Sequence, residues 1–269
     1  MIDKSRIISI KTREKVLSYL EGQHKAIKTG EEDDLKNIRE YTYSDNVKRI
    51  NWIITAKERK PYVVEREEIK SQNIIMVIFL DQEFLFGKKL ERLMEVVGLI
   101  GYSTIYQKDK LHTFIFTDRL EKYFKHRNNP EMVFEIVKYI HNIPLKGKKL
   151  NIDNFDNYLL NQRKSLVILI GDFFYPINLI RIASKHKLVI VKIRERDEES
   201  PEKYLDYQLK SFDDKLKIPY LVKPMIKVYK KNYKKFDERL RQFSVLRRIP
   251  IETIYEDEDT FLKLKLLFS

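Results

Sequence analysis

Two runs of branched apolar residues in this sequence end on an aspartate. Met76-Val77-Ile78-Phe79-Leu80 leads to Asp81, and Leu166-Val167-Ile168-Leu169-Ile170-Gly171 leads to Asp172. Such runs have the length and composition of fully buried strands, so both carboxylates fall at the carboxyl ends of core strands. Glu83, two residues beyond Asp81, adds a third acid. Three hard oxygen donors where ligands enter an open α/β sheet suit magnesium or calcium rather than a softer metal, or a binding partner. The same aspartates also have a purely structural use, since an acid after a strand accepts amide hydrogen bonds from the following turn. Residue types alone leave both uses open.

The elements that must carry these acids follow from the periodicity. From Asn73 onward the pattern switches repeatedly between strand and helix spacing. It predicts strands over 73–80, 111–116, 165–170, 187–193 and 250–254, with helices near 87–107, 130–142, 151–162, 177–186, 228–248 and 257–268. Strand-helix alternation of this kind predicts an α/β fold, a doubly wound and mostly parallel sheet. Residues 194–227, rich in charge and proline, break the rhythm and read as an excursion at a sheet end. Ahead of the sheet, residues 8–21 fit a strand or loop entering an amphipathic helix, with Gly22 as its stop. Lys60 to Arg66 reads as an extended edge segment, because Pro61 has no amide to donate. The expected division is an N-terminal accessory module over 1–71 and an α/β domain over 72–269.

Composition narrows the chemistry. At 269 residues, with 43% hydrophobic residues, the chain can bury a sizeable core. The absence of cysteine excludes disulfides, thiolate metal sites and cysteine nucleophiles. Near Met1 there is no apolar signal-peptide core, and no apolar run reaches the roughly 18 residues of a membrane helix. The expectation is a cytoplasmic protein without membrane insertion. The net charge of +13 invites an acidic partner, although lysine is spread along most of the chain.

Phosphate-loop, dinucleotide-fingerprint and nucleophile-elbow motifs are all missing, so nucleotide hydrolysis by the chain itself is not expected. The five histidines, His24, His112, His126, His141 and His186, lack metal-ligand spacing. Glu68-Ile69-Lys70 matches the short acid-x-lysine pattern of some nucleases, in which the acid binds magnesium and the lysine orients water. The stretch Lys227 to Phe236 interleaves lysines with aromatics, as nucleic-acid binders do, but equally fits a solvated helix with its aromatic face on the sheet. Together these supply an alternative function, a nucleic-acid-binding protein or divergent nuclease.

A denser pattern lies between Asp34 and Glu67. Ile38-Arg39-Glu40-Tyr41, Ser44-Asp45-Asn46, Arg49, Ile50-Asn51-Trp52, Ala56-Lys57 and Val64-Glu65-Arg66-Glu67 follow in the order and spacing of a known signature: Leu-Arg-Glu-Tyr, Gly-Asp-Asp, Arg, Ile-Asp-Trp, Ala-Arg and a Val-x-Glu strand. Downstream, Gly171-Asp172-Phe173-Phe174 matches a Ser-Asp-Phe strand end, and 250–268 a terminal strand and helix. In these residues the chain resembles the domain-of-unknown-function-58 family, the von Willebrand factor A-like proteins associated with MoxR ATPases.

The resemblance implies a von Willebrand factor A-like sheet and a metal-ion-dependent adhesion site of the form Asp-x-Ser-x-Ser, completed by a threonine and a further aspartate. Asp81 and Asp172 match its acids, but Glu83 and Leu85 stand where the serines belong, and Lys148 and Lys149 occupy the loop expected to supply threonine. A degenerate site at Asp81, Glu83 and Asp172 is therefore expected, with magnesium in doubt and with lysines placed to meet a partner's carboxylate. Arg39, Glu40, Asp45, Arg49 and Trp52 are expected to form a salt-bridged, indole-capped clasp that fixes the accessory module onto the α/β domain; as partner anchors, Arg39, Arg49 and Trp52 are the alternative. By resemblance the function is that of a non-enzymatic adaptor working with a MoxR-type AAA+ ATPase on client proteins.

Overall fold

The computed structural model of the chain describes residues 3–29, 38–47, 50–64, 71–210, 215, 217–218 and 220–268. The chain divides into two compact units, one of residues 17–70 and one of 1–16 together with 71–269. The first sixteen residues, expected in the accessory module, thus pack with the larger unit.

Helix α1 spans Lys4–Thr29 and crosses the boundary between units. Gly22, expected to stop it, lies inside, at a cost of roughly 1 kcal/mol for a helical glycine. The smaller unit holds β1 (Ile38–Glu40), α2 (Trp52–Glu58) and β2 (Tyr62–Val64). β1 and β2 pair antiparallel, Ile38 opposite Val64 and Glu40 opposite Tyr62. The proposed nuclease-like triplet Glu68 to Lys70 lies outside the described residues.

In the larger unit the chain forms β3 (Asn73–Phe79), α3 (Lys89–Tyr106), β4 (Lys110–Phe116), β5 (Leu120–Phe124), α4 (Glu131–Asn142), α5 (Phe155–Leu160) and β6 (Leu166–Gly171). It continues with α6 (Ile180–Lys185), β7 (Lys187–Arg194), α7 (Arg196–Glu199), the small hairpin β8 (Leu209–Lys210) and β9 (Lys217–Ile218), α8 (Lys223–Arg247), β10 (Ile251–Tyr255) and α9 (Thr260–Phe268). Six strands make one sheet in the order β10-β7-β6-β3-β4-β5, all parallel except the edge strand β5. The architecture is α/β, a mostly parallel sheet flanked by helices.

β3 is central and apolar because it is covered on both faces. Ile75, Val77 and Phe79 join one core with Phe155, Leu159, Ile182 and Leu240, while the intervening Met76 and Ile78 are fully buried on the other face. From β3 the chain moves to β4 on one side and later returns to β6 on the other. Strand order therefore reverses between β3 and β6, the place where open α/β sheets bind ligands. Asp81 and Asp172 follow the carboxyl ends of these two strands.

Candidate functional site

Both aspartates first serve the turns that follow them. Asp81 caps a 3-10 turn over Gln82–Leu85, its Oδ1 accepting from the Glu83 amide at 2.9 Å. Asp172 Oδ1 accepts from the Phe174 amide at 3.3 Å. Between them in sequence, Phe173 adopts φ +58°, rare for a residue with a side chain. Its ring is buried edge-on against Phe79, with centroids 6.1 Å apart, which holds the backbone there.

The second oxygen of Asp172 meets a residue that sequence reasoning missed. Lys89 opens α3 after a turn at Gly87, where φ is +55° and a Cβ would lie 2.5 Å from the Glu195 carboxyl group. That carboxyl accepts the Lys88 amide and so ties β7's end to the start of α3. Lys89 is fully buried, and its ammonium donates to Asp172 Oδ2 at 3.2 Å and to Glu198 Oε1 at 2.8 Å. The Phe84 and Phe174 rings lie 5.1 and 5.5 Å from Nζ. Burial opposes the charge on Lys89, but Asp172 and Glu198 outweigh it and hold its pKa above the ordinary lysine value. The ammonium is a buried cation held between two carboxylates.

Arg194 braces the same point from β7. Its Nε donates to the Asp172 carbonyl oxygen at 2.9 Å and its Nη2 to Asp237 Oδ1 at 2.8 Å, while Nη1 donates to the Tyr233 hydroxyl. Phe174 stacks on the guanidinium at 4.1 Å. The hydroxyls of Tyr233 and Tyr255 both donate to Glu199. Such a planar, five-donor group fixes several elements at once, which a lysine's point charge cannot.

Asp81 is left at the mouth of this cluster. Burial first, and the nearby Asp172 second, push its pKa up to about 7. Tyr175, whose buried hydroxyl has no hydrogen-bond partner among the described residues, is raised well above the ordinary phenol value by burial and by Asp172 and Asp81. Glu83 is exposed.

The expected metal set requires correction. Asp81, Glu83 and Asp172 do not fit a divalent ion, because the Lys89 ammonium already occupies the Asp172 carboxylate and would repel a second cation. Among the described residues, no three acids or histidines are placed to hold a metal. The lysines are also elsewhere. Lys148 turns its ammonium to Asp118 at 3.2 Å and to Glu121, at the β4–β5 edge, and only its carbonyl touches the Asp81 turn, accepting from the Gln82 amide at 3.1 Å. Lys149 is exposed. Neither lysine pairs with Asp81 or Glu83; Lys89 is the cation of the cluster. Its signal was present in the sequence, for Lys89, Leu93, Val96, Val97 and Ile100 share one helical face, and a lysine on an apolar stripe needs a buried partner.

In the smaller unit, Arg39 makes one local pair of the expected network, bidentate with Asp45 at 2.6 Å, which holds the Asp45 carboxyl far below its usual range. Asp45 also accepts from the Thr42 amide at 2.9 Å, and Glu40 pairs with Lys60 at 2.9 Å. Trp52 departs from expectation: it starts α2 behind the Asn51 cap and is 66% exposed, not buried. The α2 helix has no buried residue, and no described residue encloses the indole. Arg49 lies outside the described residues.

No curated protein matches the chain. A solved structure, an uncharacterized membrane spanning protein from Vibrio fischeri, is similar at 12% identity over 73% of this chain and 98% of the other, with a TM-score of 0.23, too low to inform fold or location. Among the described residues no helix is long and apolar enough to cross a membrane. Residues 37–215, which include the Arg39 clasp, Asp81, Lys89 and Asp172, match the family described as Protein of unknown function DUF58, and the chain belongs to that family.

Proposed function

We propose that this chain is a non-enzymatic interaction or assembly factor with a von Willebrand factor A-like fold, acting in the cytoplasm beside a MoxR-type AAA+ ATPase in the maturation or remodelling of other proteins. The sheet order, with an antiparallel strand at the β5 edge, is compatible with that fold. The observation that carries the proposal is the Lys89 ammonium at the strand ends. A lysine serving as nucleophile or base needs a lowered pKa, whereas this one is raised and saturated by two carboxylates. The cluster is therefore suited to holding a shape. Lys89 and Arg194 hold Asp172, while half-buried Asp81 and exposed Glu83 offer polar contacts beside them.

The test is capture of a purified MoxR-type AAA+ ATPase by the purified full chain, in nucleotide-free buffer with EDTA. Capture that persists in EDTA and weakens at least about tenfold in the Asp81→Ala, Glu83→Ala double variant is expected. Absence of capture at micromolar concentrations, or dependence on added magnesium, would overturn the proposal.

A further inference from the structure

Helix α8, whose Tyr233 and Asp237 hold Arg194, carries a second feature along one flank. Its inner face is anchored by Ile226 and Leu240, which are buried. Beside that face, at successive spacings of three or four residues, stand Met225, Val228, Asn232, Phe236, Arg239 and Phe243. Two clefts follow this one flank. A shallow cleft of about 430 Å³ is lined by Pro224, Met225, Val228, Tyr229 and Asn232. A second, of about 260 Å³, runs between Phe236, Arg239, Leu240 and Phe243 on α8 and the segment from Tyr175 to Ile180. Met225 and Val228 are 47 and 61% exposed and Ile180, across the second cleft, 52%, so the flank presents apolar side chains to solvent with Asn232 and Arg239 among them. From Met225 to Phe243 it extends about 27 Å at the helical rise.

The outer rim of the stripe is cationic. Lys227, Lys231, Lys235 and Arg239 recur every fourth residue and are exposed. Lys230, on the inner side, pairs with Glu202, but these four make no ion pair among the described residues.

We propose that this flank of α8 is a docking groove for an amphipathic protein helix with one apolar face and acidic residues beside it. Only such a partner uses both parts, apolar side chains in the clefts and carboxylates along the rim. Nucleic acid would engage the lysines and leave the apolar stripe in water. A membrane-bound helix turns its apolar residues outward, where Lys231 and Lys235 stand here. The groove adds a second surface to the interaction function and does not depend on the strand-end cluster.

The probe is a fluorescein-labelled peptide of about 18 residues, long enough to span the groove, with leucine at helical spacing and glutamate elsewhere. Its anisotropy is followed on titration with the full chain at about 150 mM salt. Binding is expected, at least about tenfold tighter than for a permuted peptide of identical composition. Val228→Glu, and separately Lys231→Glu with Lys235→Glu, are each expected to weaken it by at least about tenfold with the melting temperature unchanged, since all three side chains are exposed. Equal binding of the permuted peptide, tighter binding of oligothymidylate or phosphatidylserine vesicles, or indifference to both variants would overturn the groove. Capture of the ATPase is read separately, so its failure beside intact peptide binding sinks the ATPase assignment and leaves the groove standing.

Discussion

The ammonium of Lys89 lies 3.2 Å from the carboxylate of Asp172, and the two side chains are 0% and 2% exposed. A pair so enclosed is held by mutual compensation: desolvating either charge alone is costly, and replacing both can be nearly neutral. Lys89→Met, similar in length but uncharged, leaves Asp172 and Glu198 facing each other without a cation. Urea denaturation is expected to show a loss of about 3–5 kcal/mol, part of which Glu198→Gln recovers in the same background. A loss below about 1 kcal/mol would mean that water reaches the pair and that the cluster is no lock.

The same geometry fixes the response to magnesium. A ligand that binds only the folded state must raise its stability, by about 1.4 kcal/mol when present at roughly ten times its dissociation constant. With Lys89 in place, the melting temperature of the wild-type chain is expected not to move on titration with magnesium to millimolar levels. The described acids are not gathered to hold a metal, so Lys89→Ala is likewise expected to show no magnesium-dependent rise. A rise in the wild type that Lys89→Ala abolishes would reverse the assignment.

Asp81 gives the cluster a pH dependence. In the folded chain its carboxyl keeps a proton up to about pH 7, whereas its ordinary value is 3.8. Between those values the unfolded state binds fewer protons, so stability falls as pH rises through that window. Glu195 and Glu198, also raised by burial, act in the same sense, and His112, His126 and His186, lowered by burial, act in the opposite sense around their own range. Asp81→Asn keeps an acceptor for the Glu83 amide but loses the titration. The difference between wild-type and variant urea midpoints is expected to grow in the variant's favour from pH 4 to pH 8, and parallel curves would exclude Asp81 as the titrating group.

Asp81 and Asp172 were legible as strand-end acids because each follows a continuous, β-branched apolar run of strand length. The strand-helix alternation was legible for the same reason, and predicted boundaries near 87–107 and 130–142 compare with Lys89–Tyr106 and Glu131–Asn142. Strand β5 was not, since Glu121, Lys122 and Tyr123 at a sheet edge need little burial and so carry little apolar signal. The cation of the site escaped for a different reason. Lys148 was singled out by its place in a family pattern, but its side chain answers to Asp118 and Glu121, which lie far from it in sequence. Glu198 sits in a run of charges, from Arg194 to Glu199, where nothing local distinguishes a buried partner from a solvated one. Long-range pairing of charges is set by topology, and periodicity does not encode it.

The start of α1 was misjudged because its buried stripe is made of small polar residues. Ser5, Ser9, Thr12 and Val16 are all buried, and Ser9 hydrogen-bonds the Tyr102 hydroxyl on α3. Close approach is what selects them: a Cβ on Gly98 of α3 would lie 2.6 Å from Thr12 Oγ1, which already donates to the Ile8 carbonyl at 2.9 Å. Gly98→Ala thus sets two magnitudes against each other. Alanine in a helix interior gains roughly 1 kcal/mol over glycine, and forcing a methyl group into a closed contact costs about 1–3 kcal/mol. Overpacking is expected to win, lowering the melting temperature. Thr12→Ala, which clears the space, should then convert the same substitution at Gly98 into a gain, with a coupling of at least about 0.5 kcal/mol in the double-mutant cycle. If Gly98→Ala stabilises the chain by itself, helix propensity governs and α1 does not approach α3 this closely.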